Sequence, residues 1–302
     1  MSRIPFSLIL LFLYIGVNAQ ITEERTIFSG NYNTSIKDDL YAYQGIKTRV
    51  TIPPIGTQKF MIINSIGFDY HTFDYEKSIP FTTSDLERIY AINYAMLLKY
   101  NFSKKFSINA LAMPFMLSNL RGAISTDDLQ INGILFAEKM FGSRERHFLK
   151  LSFGVGYLTL AGETRVNPVV SLSGKLNEKF SFVLGLPNTY IEYKFTPQHT
   201  LRLVGDINDF TTHLSTPIAL DDENTQMADR AVFTVISTGV EYQYWMTKNV
   251  GITLRGLHSI SDNFELQNTN DDKIFDFQST TKLYINAGIK ISLHKKRPQN
   301  GK

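Results

Sequence analysis

Apolar and polar side chains alternate along the chain, and the clearest alternation lies in residues 86–120. Between Tyr90 and Tyr100 every second side chain is apolar or aromatic, and those in between are small or polar except for Leu97. Successive side chains of a β-strand point to opposite faces, so this period of two predicts a strand. About ten residues, tilted by about 40°, rise on the order of 25 Å, the height of the apolar band of a membrane-spanning barrel. A second alternating segment follows the polar turn at residues 101–105, which predicts a membrane-spanning hairpin.

The same two-faced rows recur at residues 148–160, 232–246, 250–260 and 281–293. Each row is about ten residues long, whereas strands of globular proteins usually have about five or six. A soluble β-sandwich is the alternative, because it also buries one face of each strand. The row length and the small or charged opposite faces favour the barrel. Aromatic residues near the row ends predict a lipid girdle on its outer face: Tyr90, Tyr100, Tyr157, Tyr242 and Tyr244.

The connections between the rows are of two kinds. Short turns lie at residues 53–57, 101–105, 142–146, 177–179, 196–199 and 247–249, and mostly longer loops at 33–43, 72–85, 119–127, 161–167, 209–229 and 262–273. This asymmetry is typical of outer-membrane barrels, whose short turns are periplasmic. We therefore predict an all-β fold, a transmembrane antiparallel up-and-down β-barrel of about fourteen strands with both termini in the periplasm. Twelve strands are the alternative, because the segments at 180–186 and 189–195 are brief.

The first nineteen residues predict a signal peptide that is removed before Gln20. Arg3 supplies the positive start, residues 4–17 are almost continuously apolar, and Val17-Asn18-Ala19 has the small-x-Ala pattern of a cleavage site. A retained anchor helix is the alternative, but the apolar run is shorter than the ~20 residues that a spanning helix needs. We expect a signal peptide at 1–19, an outer-membrane barrel at 20–294 and a basic periplasmic tail at 295–302.

Composition narrows the function further. The chain has no cysteine, which excludes disulfides, thiolate metal sites and a lipid-modified N-terminal cysteine. Its formal net charge is only +3, with basic and acidic residues mixed along the sequence, so we expect no nucleic-acid partner. The expected partners are outer-membrane lipid and small solutes that pass through the barrel, and the sequence does not specify a surface partner.

Charged side chains of both signs lie on the face opposite the apolar rows. The candidates for lining the lumen are Lys99, Lys150, Glu192, Arg202, Glu241, Arg255, Lys282 and Lys290. One interpretation is a hydrated pore whose wall charges select solutes. The other is a salt-bridged interior that braces a non-conducting barrel, which would act as a structural or surface-interaction protein. Eight strands already give a filled interior, so fourteen should be too wide for side chains to fill easily, although the loop at 209–229 could fold inward.

A third hypothesis is an enzyme that acts on outer-membrane lipid through His258. Ser259 and Ser261 lie next to it in the sequence, but regular alternation places both on the opposite face of the strand from His258. The acidic stretches at 221–224 and 270–272 offer oxygen ligands for calcium, but their spacing matches no EF-hand loop. We therefore predict no catalytic residue, no metal site and no cofactor.

A signal peptide ending in Asn18-Ala19 before Gln20, followed by hairpins with short turns and long loops, resembles the uncharacterised outer-membrane β-barrel families of Bacteroidota-type bacteria. The stretch Phe182-Val183-Leu184-Gly185-Leu186-Pro187, followed by Tyr193 and Leu201, is similar to a recurring segment of one such domain-of-unknown-function family. The resemblance implies an outer-membrane location and a barrel over nearly the whole mature chain. It implies no activity.

Overall fold

The computed structural model describes residues 25–36, 41–75, 79–143, 147–160, 162–185, 189–221, 226–277 and 280–293. The predicted signal peptide and the basic tail lie outside the described residues. Over the described part of the chain, no helix is long and apolar enough to cross a membrane.

Sixteen strands account for most of the described chain. They are β1 (Arg25–Ser35), β2 (Tyr41–Thr51), β3 (Ile55–Gly56), β4 (Phe60–Tyr75), β5 (Arg88–Ser103), β6 (Phe106–Ser118), β7 (Leu129–Gly142), β8 (Phe148–Leu160), β9 (Glu163–Lys175), β10 (Phe180–Gly185), β11 (Thr189–Lys194), β12 (His199–Ala219), β13 (Met227–Trp245), β14 (Val250–Gln267), β15 (Lys273–Asp276) and β16 (Leu283–Leu293). Two short 3-10 turns, Ser84–Leu86 and Thr126–Asp128, lie in the connections before β5 and β7.

Fourteen of these strands close into an antiparallel barrel. Each pairs with its neighbours along the chain, and the ring closes where β1 pairs with β16, which in turn pairs with β14. The short β3 and β15 only extend β4 and β14. β10 and β11 have six residues each but pair with each other and with both neighbours, so the count of fourteen is confirmed and twelve is wrong.

The outer face of the barrel carries the apolar rows that the alternation predicted. In β5, Ile92 and Tyr94 are exposed, whereas Lys99 on the opposite face is buried. Asn64 interrupts the outer row of β4, and the Tyr94 hydroxyl donates a hydrogen bond to its side-chain oxygen over 2.6 Å. This bond satisfies a polar group that would otherwise face hydrocarbon. A transmembrane barrel follows from this outer face together with the closed strand order.

The two ends of the barrel differ in length. At the short-turn end, β5 and β6 are joined by a two-residue turn. At the opposite, long-loop end, β12 has 21 residues and β13 has 19, well above the ~10 that a spanning strand needs. The predicted loop at 209–229 is therefore wrong, because most of it belongs to these two strands. The wall extends beyond the membrane at this end and encloses additional interior.

Candidate functional site

Aromatic side chains fill the barrel interior toward the long-loop end. We call this group the aromatic plug and define it as Tyr41, Tyr43, Phe73, Phe210, Phe233, Phe264 and Phe277, all of them buried. Phe233 lies at its centre, and its ring centroid is 5.2 Å from Tyr43 and 5.3 Å from Phe73. Because these rings come from β2, β4 and β13, the plug joins different walls of the barrel rather than neighbours on one strand.

An inward bulge of β12 lies beside the plug. His213 pairs with Arg230 and Ile218 with Ala228, so residues 214–217 face the single residue Asp229 of β13. The first part of the bulge turns into the barrel, where Leu214 is fully buried and Ser215 partly buried, whereas Thr216 and Pro217 are exposed. Ser215 Oγ donates a hydrogen bond to Asn119 Oδ1, at the end of β6, over 2.9 Å. The bulge therefore connects β12 to a strand that is not its neighbour in the barrel.

The expectation that fourteen strands would leave an interior too wide to fill is wrong for the long-loop half. The inner rows of several strands change from charged to aromatic toward that end, as β2 does from Lys47 to Tyr43 and Tyr41. A second buried apolar group, around Leu97, Leu111 and Leu158, fills space between β5 and β9. The sequence carries a signal for this filling in β7, which has apolar residues on both faces.

Ion pairs occupy the half of the interior nearer the short turns. The Glu241 carboxylate of β13 is completely buried and lies 3.1 Å from Arg202 Nη1 and 3.8 Å from Lys290 Nζ. It also accepts a hydrogen bond from Nε of Arg255. Arg202 in turn donates from Nε to Glu192 Oε2 over 2.7 Å. Three cations therefore converge on one buried carboxylate, and the network joins β11, β12, β13, β14 and β16.

A second ion network lies on β5, β7 and β8. Lys150 Nζ donates to Glu138 Oε1 over 2.8 Å, and Lys99 pairs with the other carboxylate oxygen. Ser107 Oγ donates to the same oxygen as Lys99, over 3.2 Å. As in the network around Glu241, basic groups outnumber the carboxylate that they share.

Water-exposed charged groups lie between the aromatic plug and the short-turn end. We call this region the inner chamber and define it as Lys47, Arg49, Asp69, Asp206, Arg255 and Lys290. The Asp206 side chain is 39% exposed although it lies on the inner row of β12, and it is 3.5 Å from Arg255 Nη1. From the far wall, Lys47 Nζ donates to Asn208 Oδ1 over 2.6 Å. Such exposure of an inward side chain means that protein atoms do not fill the interior beside it.

Comparison with known families gives one match. The model of the family described as a domain of unknown function, DUF6268, matches residues 31–292. The chain belongs to the DUF6268 family. No sequence among curated proteins matches it. The family description names no activity, so the function of this DUF6268 barrel has to be inferred from the residues of its interior.

Several solved structures are similar to the DUF6268 chain. One is the COG4313 outer membrane channel from Pseudomonas putida F1, with 11% identity, a TM-score of 0.47 and coverage of 92% of this chain and 99% of that chain. Another is the monoaromatic hydrocarbon channel TodX, as a deletion mutant, with 9% identity, a TM-score of 0.42 and coverage of 89% and 88%. A Pseudomonas aeruginosa FadL homologue has 12% identity, a TM-score of 0.40 and coverage of 88% and 89%.

One of the eight predicted lumen residues lies at the other end of the DUF6268 barrel from the remaining seven. Lys282 lies at the long-loop end, and its Nζ is 3.1 Å from the centroid of the Tyr41 ring of the plug. The seven in the short-turn half belong to the two ion networks: Lys99, Lys150, Glu192, Arg202, Glu241, Arg255 and Lys290. Lys47 and Arg49 of the inner chamber were not predicted from the sequence, although their two-residue spacing places both on one face of β2.

The predicted girdle tyrosines lie on the outer face near the two strand ends. Tyr100, Tyr157 and Tyr242 are exposed. Tyr90 packs against the ring of Tyr70, and Tyr244 against that of His199, so these two are only partly exposed. Their role as a lipid girdle stays a prediction.

His258 lies on the outer face, away from every ion network of the interior. Ser259 is buried on the inner face and donates from Oγ to the backbone oxygen of Lys282 over 3.2 Å. The prediction that Ser261 lies opposite His258 is wrong, because Ile260 forms a bulge and Ser261 pairs with Ile236. This shift brings Ser261 to the outer face as well. Within the described residues, no cluster of His, Asp and Glu could hold a metal ion.

Proposed function

We propose that this DUF6268 protein is an outer-membrane channel for small solutes whose resting state is closed toward the long loops. The inner chamber is the observation that carries the proposal. It places charged groups from β2, β4, β12, β14 and β16 around an interior that side chains do not fill, and the 39% exposure of Asp206 supports a space for water there. In a barrel that served only as a scaffold, an unfilled interior lined by charges would add no packing and so no stability.

The buried charges near the chamber support the same proposal. Ion pairs that are removed from water contribute little net stability, and well-packed apolar side chains of similar volume often stabilise a protein as much or more. The apolar packing around Phe233 shows that this barrel can fill its interior in that way. The charges of the short-turn half therefore fit a path for polar solutes better than a structural filling.

The obstruction consists of side chains and one bulge, not of a separate domain. Residues 214–217 and the aromatic plug occupy a ring of fourteen strands, which is wider than the eight-stranded barrels that side chains fill completely. A rearrangement of the bulge and the nearest rings would open the long-loop half without any change of strand pairing. Opening of the channel would then require no movement of the barrel strands.

The proposed location is the outer membrane, with the signal peptide at 1–19 removed and both termini in the periplasm. The apolar outer rows and the tyrosines near both strand ends support contact with lipid along the barrel. The proposal assigns no catalytic step to any residue. Cell fractionation, with mass spectrometry of the mature N-terminus, tests the location, and a mature chain that begins at Gln20 is the expected result.

A non-conducting structural or surface-interaction barrel is the second candidate. The filled long-loop half favours it, because the inward side chains of Phe233 and Leu214 are fully buried there. Both candidates agree with the static packing. They differ in whether the plug can be displaced.

Planar-bilayer recording of the purified protein separates the two candidates. We expect rare, brief openings of the unmodified protein. Replacement of residues 214–217 by a single glycine, which removes the inward bulge, should raise the open probability by about tenfold or more, as expected if it removes about 1.4 kcal/mol from the closed state. The control, Lys104→Gly/Lys105→Gly, changes the exposed turn between β5 and β6 at the opposite end of the barrel and should behave like the unmodified protein.

The folding of each variant is checked by its resistance to unfolding in detergent on gels without heating. If the bulge-shortened variant is folded but conducts no more than a protein-free bilayer, the channel proposal is wrong and the non-conducting barrel takes its place. If the control opens as readily as the bulge-shortened variant, the bulge is not the obstruction.

A further inference from the structure

The inner rows of the short-turn half carry more positive than negative charge. Over the described strands, these rows contain nine basic residues and five acidic ones, an excess of four positive charges. The basic residues are Lys47, Arg49, Lys99, Lys150, Lys175, Lys194, Arg202, Arg255 and Lys290. The acidic residues are Asp69, Glu138, Glu192, Asp206 and Glu241.

The excess is distributed around the wall rather than confined to one place. Lys99 and Lys150 share Glu138 on one side of the barrel. On the other side, Arg202, Arg255 and Lys290 converge on Glu241. Each group therefore has at least one more cation than the carboxylate at its centre.

The inner chamber also carries more positive than negative charge, since four of its six partly exposed side chains are basic and two are acidic. Lys47 and Arg49 project from the same face of β2, and Asp69 is the register partner of Lys47 on β4. Arg49 Nη2 donates to Asn93 Oδ1 over 3.2 Å, which holds the guanidinium against the wall. Across the chamber, Arg255 lies beside Asp206. Arg255 and Lys290 lie beside the carboxylates of Asp206 and Glu241. The net positive charge of the chamber therefore comes from Lys47 and Arg49, which outnumber Asp69.

We propose that the inner chamber of the channel selects anions, and that Lys47 and Arg49 supply the charge that a permeating solute meets. This inference rests on the proposed channel function and adds the class of solute. A narrow aqueous space with low-dielectric walls strengthens the field of its wall charges. Rings of arginine and lysine are the arrangement that favours anions in pores. The solutes would be small inorganic anions and small carboxylates, which carry no bulk that the plug region would exclude.

The experiment measures the reversal potential in a planar bilayer under a gradient of potassium chloride. It uses the unmodified protein and the bulge-shortened protein, so that currents are large enough to analyse. We expect chloride to be more permeant than potassium in both. A Lys47→Gln/Arg49→Gln variant should lower the chloride-to-potassium permeability ratio by roughly fourfold for each charge removed, because the twofold effect expected from Coulomb's law at ~10 Å in water acts in opposite directions on the two ions.

Two further variants make the test specific. Asp69→Asn removes a negative charge from the chamber and should raise the permeability ratio. Lys59→Gln/Lys139→Gln removes the same total charge as the chamber variant, but both side chains lie against aromatic rings outside the lumen. This control should leave the ratio unchanged.

The outcomes distinguish the selectivity from the channel itself. Conductance with a preference for potassium, or a ratio that is the same in the chamber variant and the unmodified protein, would overturn anion selection and leave the channel proposal standing. Absence of conductance from every folded variant, including the bulge-shortened one, would overturn both. Addition of a small carboxylate such as acetate in place of chloride should preserve the sign of the reversal potential.

Discussion

The ring of His71 on β4 lies 4.5 Å from the ring of Phe210 on β12, centroid to centroid. These strands are six positions apart around the barrel in one direction and eight in the other, so they belong to nearly opposite walls. The Tyr43 hydroxyl lies 2.9 Å from His71 Nδ1 in the same layer. This layer of rings marks the level at which the interior changes from a hydrated chamber to a packed core.

The packing of the plug should carry much of the stability of the barrel. Phe233→Ala removes a completely buried ring that contacts five other plug aromatics, and should lower the free energy of unfolding by about 3–5 kcal/mol. Urea unfolding in lipid vesicles measures this. Phe153→Ala is the control, because Phe153 is 51% exposed on the outer face, and it should cost clearly less. Equal losses in the two variants would contradict a packed interior.

The charge of Glu241 should matter more than an exposed carboxylate. Glu241→Gln leaves Arg202, Arg255 and Lys290 without their shared partner in a buried site, and should destabilise the protein by about 3–5 kcal/mol. Glu163→Gln, which breaks the exposed pair with Arg165, should change stability by about 0.5 kcal/mol or less. The same unfolding measurement compares them, and a neutral Glu241→Gln variant would argue against the network.

The inward position of the bulge can be tested by cross-linking. The chain contains no cysteine, so two introduced cysteines can pair only with each other. Asn119→Cys/Ser215→Cys should form a disulfide on mild oxidation, because these side chains are in hydrogen-bond contact at 2.9 Å. A gel-mobility shift that reductant reverses measures it. Ser173→Cys/Ser215→Cys joins opposite ends of the barrel and should stay reduced. In the bilayer, the Asn119–Ser215 cross-link should suppress openings until reductant is added.

The position of the membrane along the strands gives a further prediction. Leu254 is 56% exposed near the middle of the spanning part of β14, and Leu254→Arg should lower the free energy of unfolding in lipid vesicles by about 2–4 kcal/mol. Leu293, the last residue of β16, lies at the short-turn edge, so Leu293→Arg should cost about 0–1 kcal/mol. Equal costs at the two positions would mean that the apolar band does not coincide with the hydrocarbon core.

Alternation along the chain was enough to predict the strands and the outer face of the barrel. A strand that faces lipid must present an apolar side chain at every second position, and this requirement leaves a periodic signal even in a single chain. That signal located the long strands, the short turns and fourteen crossings, and it placed Tyr94 and Leu254 on the outside. Where a bulge broke the alternation, as at Ile260, the assignment of Ser261 to a face failed, because the period holds only while the pairing is regular.

The contents of the interior depend on contacts that form only in the folded barrel. Inner side chains meet partners from strands that are distant in sequence, such as Lys47 with Asn208 or Ser215 with Asn119, and no local period encodes those meetings. The aromatic plug arises because the closed ring of strands brings Phe210 of β12 against His71 of β4. Alternation shows which side chains point inward, but only the closure of the ring determines whether they meet each other or water.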